Sequence, residues 1–365
     1  MTGFRPTWVE IDLDAIRHNA AALTPPGAAL MAVVKADGYG HGAAPVARAA
    51  LEAGATWVGV ALVEEGMALR DAGIDAPILV TSEVPPGSEA IAIAARLTPT
   101  LYSDAGLARL AEAARGAPIA VHVKVDTGMH RVGVWPPEAA PAFAERVVRA
   151  GLDVEGLWTH FASSEIDTAT TVGQLERFLG TADAVRAAGV EPRLLHAANS
   201  AATILHPASR LDLVRPGIAL YGIAPAPGLG EDLGLRPALS WRSRVSFVKR
   251  LPAGERLSYD HRYELARDAW IATVPVGYAD GLPRAATGAP VLIHGARHPI
   301  AGNVTMDQIL VDCGDDEPAP GDEVTLVGEQ AGATIGAWDL AEAGGTIAYE
   351  IVARVGARVA REHLG

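Results

Sequence analysis

The sequence predicts an α/β protein: an N-terminal (β/α)8 TIM-like barrel over residues 1–228, followed by a mainly β C-terminal domain over 229–365. Three observations predict it. From about residue 28, an apolar, β-branched run is followed by an amphipathic segment rich in Ala, Leu, Glu and Arg, and the pair then recurs. Continuous apolar strands that alternate with helices imply parallel pairing buried on both faces, and eight such units in about 200 residues fit a closed barrel. Beyond Gly222 the texture changes to short β-like runs separated by turn signals. At roughly 150 residues per domain, a chain of 365 residues also suggests two domains.

The eight barrel strands are expected at Ala29–Ala36, Thr56–Leu62, Pro77–Thr81, Thr98–Tyr102, Ile119–Asp126, Val154–Phe161, Arg193–Ala197 and Leu213–Tyr221. Helical stretches lie between them at Ala44–Ala53, Val63–Ala72, Ala105–Ala114, Pro137–Ala150 and Thr171–Ala188. Ala224–Gly234, rich in Pro and Gly, reads as a linker. After it, β runs are expected at Ser243–Val248, Ala269–Val276, Val291–Ile293, Gln308–Val311 and Glu323–Val327. Pro252-Ala253-Gly254 and Pro320-Gly321-Asp322 supply turns, and helix is expected only at Thr334–Ala343 and Val355–His363. A doubly wound sheet is the alternative to the barrel.

Composition narrows the function. With 49% hydrophobic and 20% charged residues, the chain can build a core. A net charge of −13 repels phosphate backbones and argues against a nucleic-acid partner. The single cysteine, Cys313, allows no intrachain disulfide and no cysteine zinc cluster, and no metal is expected. The charged N-terminal stretch lacks the apolar centre of a signal peptide. With no uncharged apolar run of about 18 residues, neither a membrane span nor any location but the cytoplasm is expected.

In a barrel, reactive groups sit at the C-terminal ends of strands. The first strand ends in VVKADGYGHG, Val33–Gly42, which places Lys35 at the end of an apolar run. Desolvation there lowers an amine's pKa and makes it nucleophilic toward carbonyls, although a lone lysine at a rim usually just reaches water. Gly38, Gly40 and Ala43 also fit the dinucleotide pattern G-x-G-x-x-A, but no suitably placed ribose-binding acid follows. The fifth strand ends in KVDTGMHRVG, where Lys124, Asp126 and Arg131 crowd charge at the mouth. The sixth ends at His160 and the seventh runs into Asn199 and Ser200. These two are good N-caps, and a hydroxyl beside free N–H groups is equally an anion site. The eighth ends in Arg215-Pro216-Gly217-Ile218, and barrels commonly bind phosphate after strands seven and eight. An amine, a phosphate site and basic groups around one mouth suit pyridoxal phosphate.

VVKADGYGHG closely resembles the cofactor-lysine signature of alanine racemases. The likeness continues in order through KVDTGMHRVG, THFAS, HAANSAA, RPGIALYG, LSY at Leu257–Tyr259, VPVGYADG at Val274–Gly281, TMDQ at Thr305–Gln308 and AYE at Ala348–Glu350. The resemblance implies a barrel plus a C-terminal β domain, a head-to-tail homodimer, pyridoxal 5'-phosphate as cofactor and a small amino acid as substrate. It implies that Lys35 carries the cofactor and is the base on one face. Tyr259 would be the base on the other, presented to the partner's site. Tyr39, Asn199, Ser200, Gly217, Ile218 and Tyr349 would lie at the phosphate, Arg215 at the pyridine nitrogen, and His160 beside the ring. Arg131 would contact the cofactor's phenolic oxygen and the substrate, and Lys124 would be N-carboxylated to hold Arg131. Met306 would line the substrate pocket and Tyr278 would be a gate tyrosine. Racemisation needs two bases on opposite faces, and a tyrosinate serves if its pKa of about 10 is lowered. An arginine at the ring nitrogen is poor at giving up a proton, which disfavours side reactions such as transamination.

Four positions depart from the family: His130 for a frequent glycine, Glu165 for aspartate, Asn303 for arginine and Thr305 for cysteine. They bear on gate electrostatics, rate and substrate breadth. The motifs leave open a racemase of another amino acid such as serine. A fold-related decarboxylase would lack Tyr259 and TMDQ, and a non-catalytic cofactor carrier would generally lack the second domain.

Overall fold

Eight short parallel strands, nearly all of their residues buried, follow one another around a ring. The computed structural model describes residues 4–365. It divides into two compact units. One comprises Ile16–Gly38 with Ala43–Arg236, the other the residues through Ala15, Tyr39–Gly42 and Pro237–Gly365.

In chain order the strands begin with β1, Thr7–Asp12, which belongs to the second unit. The barrel strands are β2 (Ala29–Val33), β3 (Trp57–Val60), β4 (Ile78–Val80), β5 (Thr98–Leu101), β6 (Ala120–Lys124), β7 (Asp153–Trp158), β8 (Leu194–His196) and β9 (Leu213–Val214). From β2 to β8 each pairs in parallel with the next, and β2 pairs in parallel with β9. The ring is drawn closed by Asp212 N donating to Leu195 O (3.1 Å) and Arg215 N to Ala198 O (3.0 Å). The expected strands are all present but shorter, the eighth reduced from Leu213–Tyr221 to Leu213–Val214. The eighth ends at Val214, because Pro216 lacks an N–H and Ile218–Tyr221 turn into a 3-10 helix.

Along a strand, side chains two apart share a face. On that rule His122 and Lys124 of β6, Gly156 and Trp158 of β7, and Leu194 and His196 of β8 point one way. Trp57, three strands away on β3, packs 5.2 Å from the His122 ring, so this face is the barrel interior. Below the mouth that interior is not purely apolar, since it holds the buried rings of His122 and His196.

The second unit is built on a sheet that joins the two chain termini. Its further strands are β10 (Leu239–Arg244), β11 (Phe247–Leu251), β12 (Arg256–Leu257), β13 (Tyr263–Glu264), β14 (Ala269–Val274), β15 (Pro290–Ile293), β16 (Ala296–Pro299), β17 (Ile309–Asp312), β18 (Glu323–Gln330), β19 (Ala333–Ile335) and β20 (Ala360–Leu364). The largest sheet runs β16-β15-β18-β10-β1-β20, and β11, β14 and β17 form another. Val355–His363, expected as helix, is a turn leading into β20, which pairs in parallel with β1 from Trp8↔Ala360 to Asp12↔Leu364. Long-range pairing overrides the weak helical pattern there. The helices of this region are instead Ala337–Gly344 and Ala348–Ala353. Among the described residues, no helix is long and apolar enough to cross a membrane.

Candidate active site

At the C-terminal mouth of the barrel, four cations gather. Lys35 follows β2, Lys124 ends β6, Arg131 lies on the loop after β6, and Arg215 follows β9. Lys35 is half-buried. Burial holds its amine below the ordinary lysine range, Arg131 pushes it the same way, and Glu65 opposes. Lys124 is 3% exposed, its ammonium 4.5 Å above the Trp158 ring. Burial, then Arg131 and Arg215, bring it down to about 7 against a partial counterweight from Asp126.

Arg215 is buried with no carboxylate against it among the described residues, and burial pushes it down to about 9. Its guanidinium stacks on Trp158 (4.8 Å) and donates to Thr159 O (2.8 Å), Ala197 O (3.0 Å) and His196 Nδ1 (3.0 Å). His160 Nδ1 lies 3.4 Å from the same group. Burial, with Arg215, Lys124, Arg131 and Lys35 around it, holds His160 well below the usual histidine range, so its ring is neutral.

The segment that carries Lys35 has an unusual backbone. Ala36, Asp37, Gly38 and Tyr39 all have positive φ, from 50 to 62°. A left-handed turn of L-residues costs about 1–2 kcal/mol per residue, and only Gly38 is free of that cost. Fixed partners offset it. Glu65 Oε1 accepts Ala36 N (2.6 Å), while its Oε2 accepts Ala61 N (2.8 Å) and Leu62 N (3.1 Å). Asp37 Oδ1 accepts Ala43 N (2.9 Å), and the Tyr221 hydroxyl donates to Val33 O (3.0 Å). The Lys35 backbone is thus pinned by a carboxylate that also caps the helix after β3.

The loop bearing Arg131 is closed on itself. Asp126 N donates to Val134 O, Val134 N to Lys124 O, and Asp126 Oδ1 accepts from Gly128 N and His130 N, both at 3.0 Å. His130 sits at φ +55°, where glycine is unstrained, and its ring meets Trp135 edge-on at 4.6 Å. Beside the mouth, Asn199 caps Ser200–Leu205 by accepting Ala202 N (2.9 Å), as its residue type suggests. Ser200 Oγ accepts Gly217 N (2.8 Å) and Ala219 N (3.3 Å), so a hydroxyl and the main-chain N–H groups around Gly217 and Ile218 converge.

The remaining candidates lie in the other unit. Tyr39 and Tyr349 pack ring to ring with centroids 6.4 Å apart, and burial pushes the Tyr39 phenol up to about 12. Tyr259 is 69% exposed on a tight turn where Ser258, Asp260 and His261 have positive φ. Asn303 ties that turn down, donating to Tyr259 O (2.9 Å) and Asp260 Oδ2 (3.3 Å), while Ser258 Oγ donates to Asn303 O (2.8 Å). An open groove of about 440 Å³ lies between this turn and Thr305, Gln308 and Leu310. Tyr278 N and Ala279 N donate to Thr305 O and Met306 O, which sets Tyr278 beside the Met306 loop. That approach requires Gly277, since a Cβ there would stand 2.3 Å from Met306 O.

The chain matches the alanine racemase N-terminal domain over residues 11–225 and the alanine racemase C-terminal domain over 238–363. The chain belongs to the alanine racemase family. An alanine racemase of Symbiobacterium thermophilum is 49% identical over 100% of this chain and 99% of its own length. The solved alanine racemase of Streptomyces coelicolor superposes with a TM-score of 0.94 at 43% identity, covering 99% of this chain and 98% of that one. That of Streptomyces lavendulae gives 0.93 at 41% identity, covering 100% and 98%. Barrel and β domain are thus both shared with solved alanine racemases.

Within this alanine racemase fold the structure gathers Lys35, Lys124, Arg131, His160, Arg215, Ser200, Gly217 and Ile218 in the barrel unit. It places Tyr39 with Tyr349, and Tyr278 with Met306, in the other. Glu65, Trp158 and His196 contact these groups or the backbone beside them, and His122 contacts His196; none of the four is singled out by its sequence motif. A histidine inside the run Val121-His122-Val123 was the one signal that could have found the buried pair. Among the described residues, no cluster of His, Cys, Asp or Glu could hold a metal ion.

Proposed function

We propose that this chain interconverts L- and D-alanine with pyridoxal 5'-phosphate held on Lys35, supplying D-alanine for peptidoglycan, and that it works as a head-to-tail homodimer. The observation that carries the reading is the cation cluster at the barrel mouth. A half-buried amine below its ordinary range, a buried guanidinium with no carboxylate partner among the described residues, and a hydroxyl beside converging N–H groups form a donor set that fits an anionic, carbonyl-bearing cofactor. Solved relatives support the substrate class: one from Bacillus anthracis, 37% identical with a TM-score of 0.93, has bound L-Ala-P, and one from Clostridium difficile is a complex with cycloserine.

In this reading Ser200, Gly217, Ile218, Asn199, Tyr39 and Tyr349 would hold the phosphate. Arg215 would hold the ring nitrogen, His160 would lie beside the ring, and Arg131 would reach the phenolic oxygen and the substrate carboxylate. When bound, the cofactor supplies an electron sink that acidifies the substrate Cα–H. Lys35, its amine already below the ordinary lysine range, takes or returns the proton at Cα on one face. Tyr259 does so on the other, for the partner copy. Its exposure, and that of Met306 (53%), suits a surface that the partner covers. Arg215, at about 9, remains charged at neutral pH and donates a hydrogen bond without surrendering its proton. Lys124 reverses its sign by N-carboxylation and then holds Arg131. Tyr278 gates access and Met306 bounds the pocket.

The test is to incubate purified protein with each L-amino acid and measure the D-enantiomer formed. Alanine should lead. Borohydride reduction followed by peptide mapping should find the cofactor on Lys35. Failure to form any D-amino acid, or an adduct on another lysine, overturns the reading.

A further inference from the structure

A barrel interior is ordinarily filled by apolar side chains. Here it contains a line of polar groups that runs away from the mouth. Arg215 Nη1 meets His196 Nδ1 at 3.0 Å, His196 Nε2 meets His122 Nδ1 at 2.8 Å, and His122 Nε2 faces Glu155 Oε2 at 3.7 Å. The last contact is electrostatic, too long for a formed hydrogen bond. Both rings are fully buried. His196 lies parallel to Trp158 at 5.5 Å, and Trp57 packs against His122.

Two local features of the fold make room for this line. Gly156 stands directly opposite His122 in the neighbouring strand, and a Cβ there would lie 2.6 Å from His122 Nδ1. The β6–β7 register then shifts: Val121 faces Val154 and His122 faces Gly156, which leaves Glu155 as the unpaired residue of a bulge. In an unbroken strand Glu155 would point away from the Gly156 face. A bulge re-aims a side chain, and this one turns the carboxylate toward His122. Outside, Arg193 holds Glu155 at 3.2 Å and Asp153 at 2.9 Å.

The direction of every proton follows from the first member. A guanidinium only donates, so His196 Nδ1 must be bare and its Nε2 must carry the hydrogen. His122 Nδ1 must then accept, which leaves the His122 hydrogen on Nε2, facing a carboxylate. Burial and the charge of Arg215 hold both rings below the usual histidine range, and Glu155 only partly restores His122, so each ring is neutral and has a single tautomer.

We propose that His122 is a positioning residue for the family's reaction. With His196 it forms a one-way hydrogen-bonded line, extended electrostatically to Glu155, that fixes the orientation of Arg215 and brings negative charge toward a buried cation with no carboxylate against it among the described residues. The proposal rests on Arg215 facing the cofactor ring only for its catalytic consequence; the line itself is independent of that reading.

The first test needs no activity and no mutation. Nitrogen-15 histidine labelling distinguishes a bare ring nitrogen from a protonated one, and coupling across the Nε2–H···Nδ1 contact singles out this pair among the 11 histidines. Both rings should carry hydrogen on Nε2 alone at neutral pH. A hydrogen on Nδ1 of either, or a doubly protonated ring, overturns the proposal. The second test separates positioning from packing. His122→Phe keeps the ring volume but gives His196 no acceptor, whereas His122→Asn is smaller but keeps an oxygen where Nδ1 was. His122→Phe should lower kcat by about tenfold or more, the scale of one buried donor left unpaired. His122→Asn should retain more activity than His122→Phe, despite the cavity it leaves. The reverse order, with Phe tolerated and Asn impaired, would mean that the ring only fills space. If the tautomers are as described while no racemase activity exists at all, the functional reading fails and the line stands.

Discussion

Shifting the protein from about pH 8 to about pH 6 under constant dissolved carbon dioxide should strip a carboxyl group from Lys124. Only a neutral amine adds carbon dioxide. With its pKa brought down to about 7, half of the Lys124 amines are neutral at pH 7. At the ordinary value of 10.5 only about one in three thousand would be, so the surroundings raise the reactive fraction by roughly a thousandfold. At about pH 6 the neutral fraction falls to about a tenth, and because carboxylation of an ammonium releases two protons, acid drives the reverse. The modification exchanges a positive charge for a negative one beside Arg131, which the unmodified lysine repels. The assay is carbon-13 NMR after incubation with labelled bicarbonate. A carbamate signal should be strong at the higher pH, fade on acidification and be missing in Lys124→Met. Equal occupancy at both pH values, or a signal that survives in Lys124→Met, would refute the reasoning.

Three further substitutions probe the backbone around the candidate residues. Glu65→Gln replaces a carboxylate that accepts three main-chain N–H groups with one acceptor and an amide that faces donors. It should destabilise the turn by about 2–3 kcal/mol, with hydrogen exchange at Ala36 sharply faster; unchanged protection there would contradict the clamp. His130→Gly removes about 1–2 kcal/mol of left-handed strain but loses the Trp135 contact and adds chain entropy, so chemical denaturation should place it within about 1 kcal/mol of the parent. A loss well beyond that would mean the histidine has a structural role beyond this edge contact. Gly277→Ala drives a methyl into Thr305 O and Met306 O, and should cost about 1–3 kcal/mol or more while displacing Tyr278 and Met306, as thermal melts and a crystal structure would reveal.

The parts of this fold that were legible in the sequence are those where burial dictates residue type. A parallel strand covered on both faces has to be apolar along its length, so β2 through β9 announced themselves. The catalytic-looking residues were legible because they break that rule at strand ends, as Lys35 and Lys124 do. What stayed hidden depends on partners far away in sequence. Strand β20, Ala-Arg-Glu-His-Leu, has little apolar signal and is a strand only because β1 lies beside it. The left-handed turn at Ala36–Tyr39 contains one glycine among four residues, and its stability comes from Glu65, which the local sequence does not reveal. Gly156 looks like an ordinary strand glycine until His122 is placed opposite it. Asn303 departs from the family's usual arginine, and in the structure it anchors the turn that carries Tyr259.

The central claim is that Lys35 and Tyr259 serve opposite faces of one substrate, with the tyrosine contributed by a second copy of the chain. Subunit complementation tests it most directly. Lys35→Ala and Tyr259→Phe are each expected to be inactive alone, and the second keeps the ring's volume while losing only the ionisable oxygen. When the two are mixed under conditions where exchange of subunits is demonstrated, one site in each mixed dimer draws its lysine and its tyrosine from undamaged copies. The account predicts that alanine racemisation returns, approaching one working site per mixed dimer. Proven exchange with no return of activity would contradict it.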